Sequence, residues 1–487
     1  MRCESGGTNV LSRALVSLAR DYRTDLLGIK VGKDRIVVLC SHEVVREVLS
    51  RDEFDGRPKG LFFETRTWGS RKGIILVDGM LWHSQRRFLL RHLKDFGFDR
   101  RSMEELVQKE VSELSKYFLS AIQKGECTTD DKHQTGSSPK PNLDVNCNEQ
   151  GKEATIWLHN AFSVSVLNTI WMMMAGVRYE PGDKDLRELQ SILADLFIVV
   201  DTTGCPFSHF PFLRFIAPEM SGYNMFVSTH QKIWDFLYKE LERHKTSFQP
   251  DICRDFMDLF LKKVAEEESA GVKHSEFSDA QLLATCMDLF MAGSETTSKG
   301  LGFVFLYLIK HPRVQKKVQE EIDAVVGRDR LPDLSDRVRM PYLEAMIMES
   351  LRLFTARSFG LAHRALADAW IKGHFIPKDT MLLVCFASIS YNEQLWSEPE
   401  KFYPERFLDA EGQVVVPHHY LPFGLGKRRC MGESLAKTSI FLFISGLLQK
   451  YEFSVPEGDT PPPIEGTERT GVTPTPLPYR ATIRLRR

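Results

Sequence analysis

The sequence predicts a mainly α-helical protein with small β-sheets, an α+β fold class, folded as one large domain. The central part of the chain, residues 156–357, repeats apolar side chains at helical spacing almost without interruption. Short apolar runs typical of strands occur near the two ends, and no internal repeat is apparent. The helical centre and the terminal strands together lead to this fold class.

The composition excludes several classes of protein. Hydrophobic residues make up 43% and charged residues 26% of the 487 residues, which is ordinary for a folded globular chain. The 64 basic and 65 acidic residues give a net charge of −1, whereas a dedicated nucleic-acid binder would need a basic excess. Nine cysteines without a C-x-x-C pair predict a reducing compartment and no zinc ribbon. No apolar run is long enough to span a membrane, and no signal-peptide core is visible near the start.

The predicted elements begin with two strands in residues 26–39, joined by a glycine turn, and a helix over residues 42–49. Residues 124–154 are polar and contain Gly, Ser and Pro, which predicts a flexible surface insertion; a linker between domains is the competing interpretation. Residues 459–478, rich in Pro and Thr, predict a surface hairpin or strand pair. Further helices are predicted for residues 103–123, 256–268, 279–310, 312–326 and 433–448.

One cysteine stands in an unusual context, the stretch FGLGKRRCMG of residues 423–432. Its three glycines allow the backbone to approach a flat or bulky group closely. Arg428 and Arg429 precede the thiol and a predicted helix follows it, and both cations and helix-opening amides lower the pKa of a thiol. These features indicate that Cys430 is a thiolate metal ligand. A buried, inert cysteine beside a turn is the competing interpretation.

The pattern F-x-x-G-x-x-x-C-x-G in this stretch resembles the haem-thiolate signature of the cytochrome P-450 monooxygenases. The resemblance implies the cytochrome P-450 fold, with a helical core around haem b (iron protoporphyrin IX). It implies that Cys430 is the axial ligand of the haem iron and that Phe423 belongs to the haem site. A thiolate ligand gives iron the electron density that favours cleavage of the O–O bond.

A second motif, AGSETT at residues 292–297, lies within a long apolar helix prediction. Glycine and four polar residues are costly in the middle of a helix, so a functional reason is expected. The resemblance implies that Gly293 lets the helix pass close to the haem, and that Thr296 and Glu295 are catalytic residues that deliver protons during oxygen activation. An ordinary helix kink with solvated polar residues is the competing interpretation.

Two further motifs match the family's order. Glu349 and Arg352 are three residues apart on one helix face, which by itself indicates only a surface salt bridge. With Arg406 in the later YPERF stretch, the resemblance implies a buried structural network that braces the cysteine loop. The pattern W-x-x-x-R places Trp82 and Arg86 on one helix face, where the resemblance implies that both bind a haem propionate. Arg57, His363 and Arg428 match further family positions that bind and neutralise the propionates.

The resemblance extends from about residue 14 to residue 484 and is strongest to the animal microsomal group, with an insect-like DGRP stretch at residues 55–58. The membrane anchor and Pro-rich hinge of that group are not seen, so we expect residues 1–13 to be an N-terminal remnant and residues 14–487 to be the cytochrome P-450 domain. The expected location is the endoplasmic reticulum membrane on its cytoplasmic face. The aromatic segment 205–218 is expected to contact the membrane surface; a core-packed loop is the competing interpretation.

The partners follow from the chemistry that the chain lacks. No flavin or nicotinamide fingerprint is present, so electrons are expected from an external NADPH-dependent reductase, together with O₂. Arg87, Arg91 and Lys94 form a basic helical stripe that, with Lys427 and Arg429, could dock an acidic partner; a solvated charged face is the competing interpretation. By family analogy the pocket-lining segments are largely apolar, which predicts a lipophilic substrate, such as a steroid, hormone, fatty acid or xenobiotic.

Two other functions remain open at this point. A haem-thiolate isomerase would need no electrons, but such members commonly lack the acid–alcohol pair found here as Glu295 and Thr296. A non-catalytic haem protein, or an inactive truncated paralogue, is the other alternative. The leading prediction is a haem-thiolate monooxygenase that hydroxylates or epoxidises an apolar small molecule.

Overall fold

The computed structural model describes residues 7–92, 100–124, 153–180, 183–186, 188–190, 192, 205–461, 463–464 and 473–486, and these confirm the mainly helical fold class. The helices before residue 200 are α1 (Gly7–Asp21), α2 (His42–Leu49), α3 (Leu61–Thr65), α4 (Gly79–His92), α5 (Arg100–Lys124) and α6 (Ser163–Ala175). Those that follow are α7 (Pro206–His209), α8 (Leu213–Ile216), α9 (Tyr223–Ser247), α10 (Phe256–Ser269), α11 (Asp279–Lys310), α12 (Pro312–Val325), α13 (Pro341–Thr355), α14 (Ala387–Ser390) and α15 (Glu433–Lys450).

The strands form three small sheets. They are β1 (Leu26–Val31), β2 (Asp34–Leu39), β3 (Glu153–Trp157), β4 (His363–Arg364), β5 (Ala369–Ile371), β6 (His374–Ile376), β7 (Met381–Val384), β8 (Tyr451–Ser454) and β9 (Arg480–Leu485). The first sheet has the order β1–β2–β7–β4, with β2 and β7 parallel and the other pairs antiparallel. The second has the order β3–β9–β8, and β5 pairs with β6 as a separate hairpin. The first two sheets therefore join segments that are distant in sequence, and the third closes a local turn.

Helix α11 is the central element of the core. The Ser278 side chain accepts a hydrogen bond from the Gln281 amide, which caps the first turn. The helix packs against α6, α9, α13 and α15. Residues 281–288 and 300–309 are all buried, whereas Ala292 and Thr296 between them are exposed. The middle of α11 therefore exposes two side chains, whereas the parts of the helix on either side are buried.

The helices predicted over residues 256–268, 279–310 and 312–326 are confirmed, but two predictions near the strands are wrong. Residue 156 was expected to begin the helical region, and it lies in β3, which pairs with β9 more than 300 residues later. Within residues 459–478, none of the described residues is in a strand. Prolines supply no backbone N–H for a ladder, and β9 begins at Arg480, just after the last of them.

Some predictions fall on parts of the chain that are not described. Most of the predicted insertion, residues 125–152, lies outside the described residues, as do Lys94 and residues 193–204. None of the described helices combines the length and the apolar character needed to cross a lipid bilayer.

A buried ionic cluster fastens the end of α9 to the start of α10. His244 Nε2 lies 2.9 Å from Asp255, and its Nδ1 donates to the Glu240 carbonyl at 2.9 Å. Burial alone would lower the pKa of His244, but the hydrogen bonds to Asp255 and Glu240 outweigh it and raise the pKa to about 10. Arg254 occupies both carboxylate oxygens of Asp258, the remaining acid of the cluster. A protonated histidine and an arginine thus balance these acids.

We predict that His244→Gln lowers the free energy of unfolding by about 3 kcal/mol at neutral pH, because it leaves the buried Asp255 carboxylate without its cation. The folded pKa of about 10 lies above the unfolded value of about 6.5. The stabilisation is therefore complete below about pH 6.5 and is lost as the pH rises through about 10. Urea unfolding across this range measures the effect, with the exposed His274→Gln as control. Equal pH dependence in wild type and His244→Gln would contradict the prediction.

Candidate active site

The loop that carries Cys430 is shaped by two glycines with left-handed backbone. Gly424 and Gly426 both have φ of +74°. A Cβ at Gly426 would come within 1.8 Å of the Leu49 carbonyl oxygen, so a side chain there requires the backbone to move. The Cys430 amide donates to the Phe423 carbonyl at 2.9 Å and closes the loop. The contact with α2 and this hydrogen bond fix the cysteine shortly before α15.

The thiol of Cys430 is exposed, yet surrounding protein atoms raise its pKa. Burial raises the pKa most, Glu433 raises it further, and a backbone amide and Arg86 lower it. The expectation that Arg428 and Arg429 lower this pKa is therefore wrong, since the thiol pKa rises and Arg86 is the cation that acts on it. A coordinated metal ion deprotonates such a thiol outright.

Two arginines from distant parts of the sequence meet beside this loop. Arg428 donates to the carbonyls of Asp55 and Val77 at 2.9 and 2.8 Å. Burial lowers the pKa of Arg57 to about 10 and that of Arg428 to about 9, and the charge of Arg57 adds to the second shift. The Arg57 guanidinium donates, at 3.0 to 3.2 Å, to the backbone carbonyls of Ile75, Leu361 and Ala362. Two mutually repelling cations are therefore held in a buried place.

The other sequence-predicted cofactor residues surround these cations. The Arg428 guanidinium lies 3.9 Å from the centre of the buried Trp82 ring, and that of Arg86 lies 5.4 Å from the same ring. His363 is buried and its Nδ1 donates to a backbone carbonyl at 2.8 Å. Burial and the charges of Arg57 and Arg428 lower its pKa to about 3, so the imidazole is neutral. The structure brings all five side chains into one cluster.

One atom of this cluster indicates which kind of ligand the cluster can bind. Arg428 Nη1 is buried and has no hydrogen-bond partner among the described residues. A buried guanidinium N–H without a partner costs free energy, and a carboxylate is a natural acceptor for it. A thiol that can ligate a metal lies close by in sequence, at Cys430. These donors fit a metal-bearing cofactor with carboxylate arms.

Glu349, Arg352 and Arg406 are also brought together, in a buried network. Arg352 donates two hydrogen bonds to the Glu349 carboxylate, at 2.7 and 2.9 Å. Arg406 and the Tyr403 amide donate to the same carboxylate at 3.1 and 3.0 Å. The guanidinium of Arg352 also donates to the Ser390 carbonyl at 2.6 Å. The side chains of the three charged residues are at most 6% exposed, so the pattern is not the surface salt bridge that spacing alone suggests.

Thr296 lies at the centre of α11, where its side chain is exposed. Its hydroxyl donates to the carbonyl of Ala292, the other exposed residue there, at 2.8 Å. A Cβ at Gly293 would meet the end of the Ile170 side chain of α6 at 2.5 Å, so the packing of α11 on α6 also favours glycine here. The expected approach of Gly293 to the haem stays a prediction.

Glu295 does not contact the Thr296 side chain in this arrangement. Its carboxylate lies 3.8 Å from the ammonium of Lys299, one turn later on α11, and both side chains are largely buried. Lys299 also donates to the Asn160 side chain at 3.2 Å. Lys299 thus holds Glu295, and Asn160 in turn positions Lys299.

Sequence reasoning missed a clamp between α11 and the preceding loop. Asp288 accepts hydrogen bonds from the amides of Ile74 and Ile75 at 2.7 and 2.9 Å and forms a buried ion pair with Arg66. Gln281, two turns earlier on the same face, bonds both the N–H and the carbonyl of Gly73. The sequence contains one signal that could have revealed this clamp. Asp288 is a lone carboxylate between apolar neighbours, on a part of the helix that is otherwise buried.

The fold and this donor set define a class of protein, the haem-thiolate enzymes. The family model described as Cytochrome P450 matches residues 4–137 and 141–483. The chain belongs to the cytochrome P450 family and is a haem-thiolate monooxygenase.

Several curated relatives are similar over nearly the whole chain. The probable cytochrome P450 303a1 of Drosophila melanogaster is 39% identical over 96% of this chain and 88% of its own length. The farnesoate epoxidase of Bombyx mori is 34% identical over 91% of this chain and 83% of its own length. Cytochrome P450 2B19 of Mus musculus is 30% identical over 92% of this chain and 84% of its own length. The animal, insect-like resemblance is therefore confirmed.

We predict that Asp288→Asn lowers the free energy of unfolding by about 3 kcal/mol, because Arg66 remains buried without a counter-charge. Amides of residues 66–75 should also exchange faster with deuterium, since their acceptor is weaker. Asp279→Asn on the same helix removes a partly exposed ion pair with Lys245 and should cost at most about 0.5 kcal/mol. Equal effects of the two substitutions would show that the clamp contributes nothing beyond an ordinary surface pair.

Proposed function

We propose that Cys430 is the axial ligand of haem b and that the enzyme hydroxylates or epoxidises a lipophilic small molecule. The observation that carries this proposal is the buried cation cluster of Arg57 and Arg428, with its unpartnered N–H, beside the cysteine loop. The enzyme would use O₂ and two electrons from an external NADPH-dependent reductase. Bound haem supplies the oxygen chemistry, and the protein supplies the ligand, the position and the protons.

The cofactor-binding side chains divide into two groups. Cys430 supplies the sulfur, and Phe423 closes the loop through its carbonyl. Two propionate carboxylates would lie against the cationic cluster, where they relieve the repulsion between guanidiniums and accept the free Arg428 N–H. The propionate-binding residues are Arg57, Trp82, Arg86, His363 and Arg428. Glu349, Arg352 and Arg406 act at a distance, since their network holds the segment before the cysteine loop.

Thr296 and Glu295 are assigned to proton delivery. The Thr296 side chain is exposed and its hydroxyl donates to its own helix, so rotation can release the hydroxyl toward water or substrate. Glu295 is one residue away and is held by Lys299. The Glu295 carboxylate can exchange its lysine partner for a water molecule, and the Thr296 hydroxyl belongs to the next residue. Together the two groups form a short route for a proton into a closed site.

The substrate is proposed to be lipophilic, such as a steroid, hormone, fatty acid or xenobiotic. The segments expected to line the pocket include Leu361 and Ala292, whose exposed side chains lie in otherwise buried stretches. Apolar walls of this kind favour an apolar ligand. The similarity to the enzyme named farnesoate epoxidase supports a substrate of this class and an epoxidation as one possible outcome.

We predict that the reduced protein treated with carbon monoxide shows a strongly red-shifted Soret band and that Cys430→Ser abolishes it, because the thiolate is lost. Cys253→Ser, at a partly exposed cysteine, should leave the band unchanged. A wild-type band at the position typical of histidine-ligated haem would contradict the assignment of Cys430. Absence of haem in the wild type would favour the non-catalytic alternative.

Electrons are proposed to enter at the basic face of α4. Arg87 and Arg91 are exposed and one turn apart, and Arg429 is exposed in the cysteine loop. Lys427 forms an ion pair with Asp52 at 2.6 Å and is therefore less available. Three exposed cations near the proposed haem ligand suit an acidic redox partner.

We predict that Arg87→Glu with Arg91→Glu slows reductase-driven turnover of a lipophilic probe about tenfold, because charge reversal repels an acidic partner. Peroxide-driven turnover, which needs no reductase, should be unchanged. Lys239→Glu, an exposed charge reversal on α9, is the matched control. Equal loss in both assays would reject this surface, and turnover without any electron source would favour the isomerase alternative.

Association with the endoplasmic reticulum membrane, on its cytoplasmic face, is proposed from the region of α7 and α8. Phe215, Ile216 and Met220 are each at least 75% exposed. Large apolar side chains at such exposure suit the interface of a bilayer. The mammalian relatives support the same location.

A further inference from the structure

The turn between β1 and β2 concentrates positive charge at the edge of the first sheet. Lys30 and Arg35 are directly opposite each other in the antiparallel pair, and both are exposed. Lys33 is exposed at the turn itself. Like charges opposite each other across a strand pair are destabilising, and β1 is an edge strand that presents them to solvent. Three exposed cations in one turn make this edge of the sheet a surface that attracts anions.

The acid within the turn, Asp34, offsets only one of these three positive charges. Asp34 lies 2.8 Å from Nδ1 of His209, at the end of α7. The Lys33 amide donates to the His209 carbonyl, and a Cβ at Gly32 would meet that carbonyl oxygen at 2.5 Å. The turn is thus packed tightly against α7, and its cations lie close to the segment that follows α7 in the chain.

That segment is the apolar surface proposed above to contact the membrane. Arg214 within it stacks on the Phe215 ring at 4.5 Å and adds another cation. The exposed apolar side chains beyond α7 are Phe210, Phe212, Phe215, Ile216 and Met220. Aromatic and aliphatic side chains beside a basic turn match a bilayer whose headgroups are negative, since the rings enter the interface while the cations bind phosphates.

We propose that Lys30, Lys33 and Arg35 bind the anionic headgroups of a phospholipid bilayer, so that the enzyme selects negatively charged membrane. The inference rests on the proposed membrane association and adds its lipid requirement. A strongly hydrated lysine or arginine near a negative membrane surface gains about fivefold in partitioning per charge. Three cations therefore convert the weak apolar contact of the protein with the bilayer into a stable one. Other peripheral proteins likewise combine an apolar anchor with a basic patch.

The test is flotation of the haem-loaded protein with two kinds of vesicle. One consists of phosphatidylcholine alone, and in the other about 30% of the lipid is phosphatidylserine. We expect the wild type to bind the anionic vesicles at least tenfold more strongly and to lose that preference at high salt. A variant with Lys30→Gln, Lys33→Gln and Arg35→Gln should lose the preference. A control with Lys116→Gln, Lys239→Gln and Lys316→Gln, three exposed lysines elsewhere, should retain it.

A second variant separates the two parts of the surface. Phe212→Ser with Phe215→Ser should weaken binding to both kinds of vesicle equally, because it removes only apolar contact. Equal binding of the wild type to neutral and anionic vesicles would overturn the lipid requirement while leaving membrane association intact. Wild-type protein that binds neither vesicle would overturn the membrane association as well. Equal loss of preference in the control variant would assign the effect to net charge and reject the turn.

Discussion

The repulsion between Arg57 and Arg428 is the constraint around which the site is organised. Burial lowers the pKa of both guanidiniums, and the charge of Arg57 lowers that of Arg428 further. The carboxylates of Asp55 and Asp78 offset these shifts only in part, and Arg428 keeps one N–H without a partner among the described residues. Backbone carbonyls from several distant segments solvate them, so the cations also hold those segments together. A carbonyl carries only a partial charge, whereas a carboxylate cancels a full one. The protein is therefore shaped for an anion, and a carboxylate-bearing cofactor would strengthen the site that receives it.

The loop of residues 73–78 joins this cationic cluster to α11. Its first residues are held by Gln281 and Asp288 on the helix, and its later carbonyls are held by Arg57 and Arg428. The loop is thus hydrogen-bonded both to the helix that carries Thr296 and to the cationic cluster, and Arg71 holds the Leu76 carbonyl between these two attachments. A shift of α11 must be accompanied by a shift of the loop or by the loss of buried hydrogen bonds. The loop consequently couples the position of α11 to that of the cationic cluster.

Local patterns predicted most of the fold, and short motifs predicted which residues form the clusters of the site. Periodicity was sufficient for the helices around α11, because their apolar faces repeat within a few turns. It was insufficient for β3, whose partner β9 is more than 300 residues away and leaves no local signal. The Asp288 clamp was missed for the same reason, since its acceptor role depends on amides of a loop that is distant in sequence. The raised pKa of Cys430 was also missed, because Arg428, two residues before it in sequence, donates to the Asp55 carbonyl, whereas burial acts on the thiol directly.

The near-zero net charge of the chain conceals local excesses of positive charge, and burial decides what each excess can bind. The pair Arg57 and Arg428 is enclosed, so an anion that satisfies it must be held almost permanently, because its release would restore a desolvated repulsion. The cations at the β1–β2 turn face water, which screens them, so their anion can exchange freely. Arginine occurs in both places: a pair of arginines suits a resident cofactor, and an arginine with two lysines at the turn suits a reversible membrane contact. Exposure rather than residue type separates the two functions.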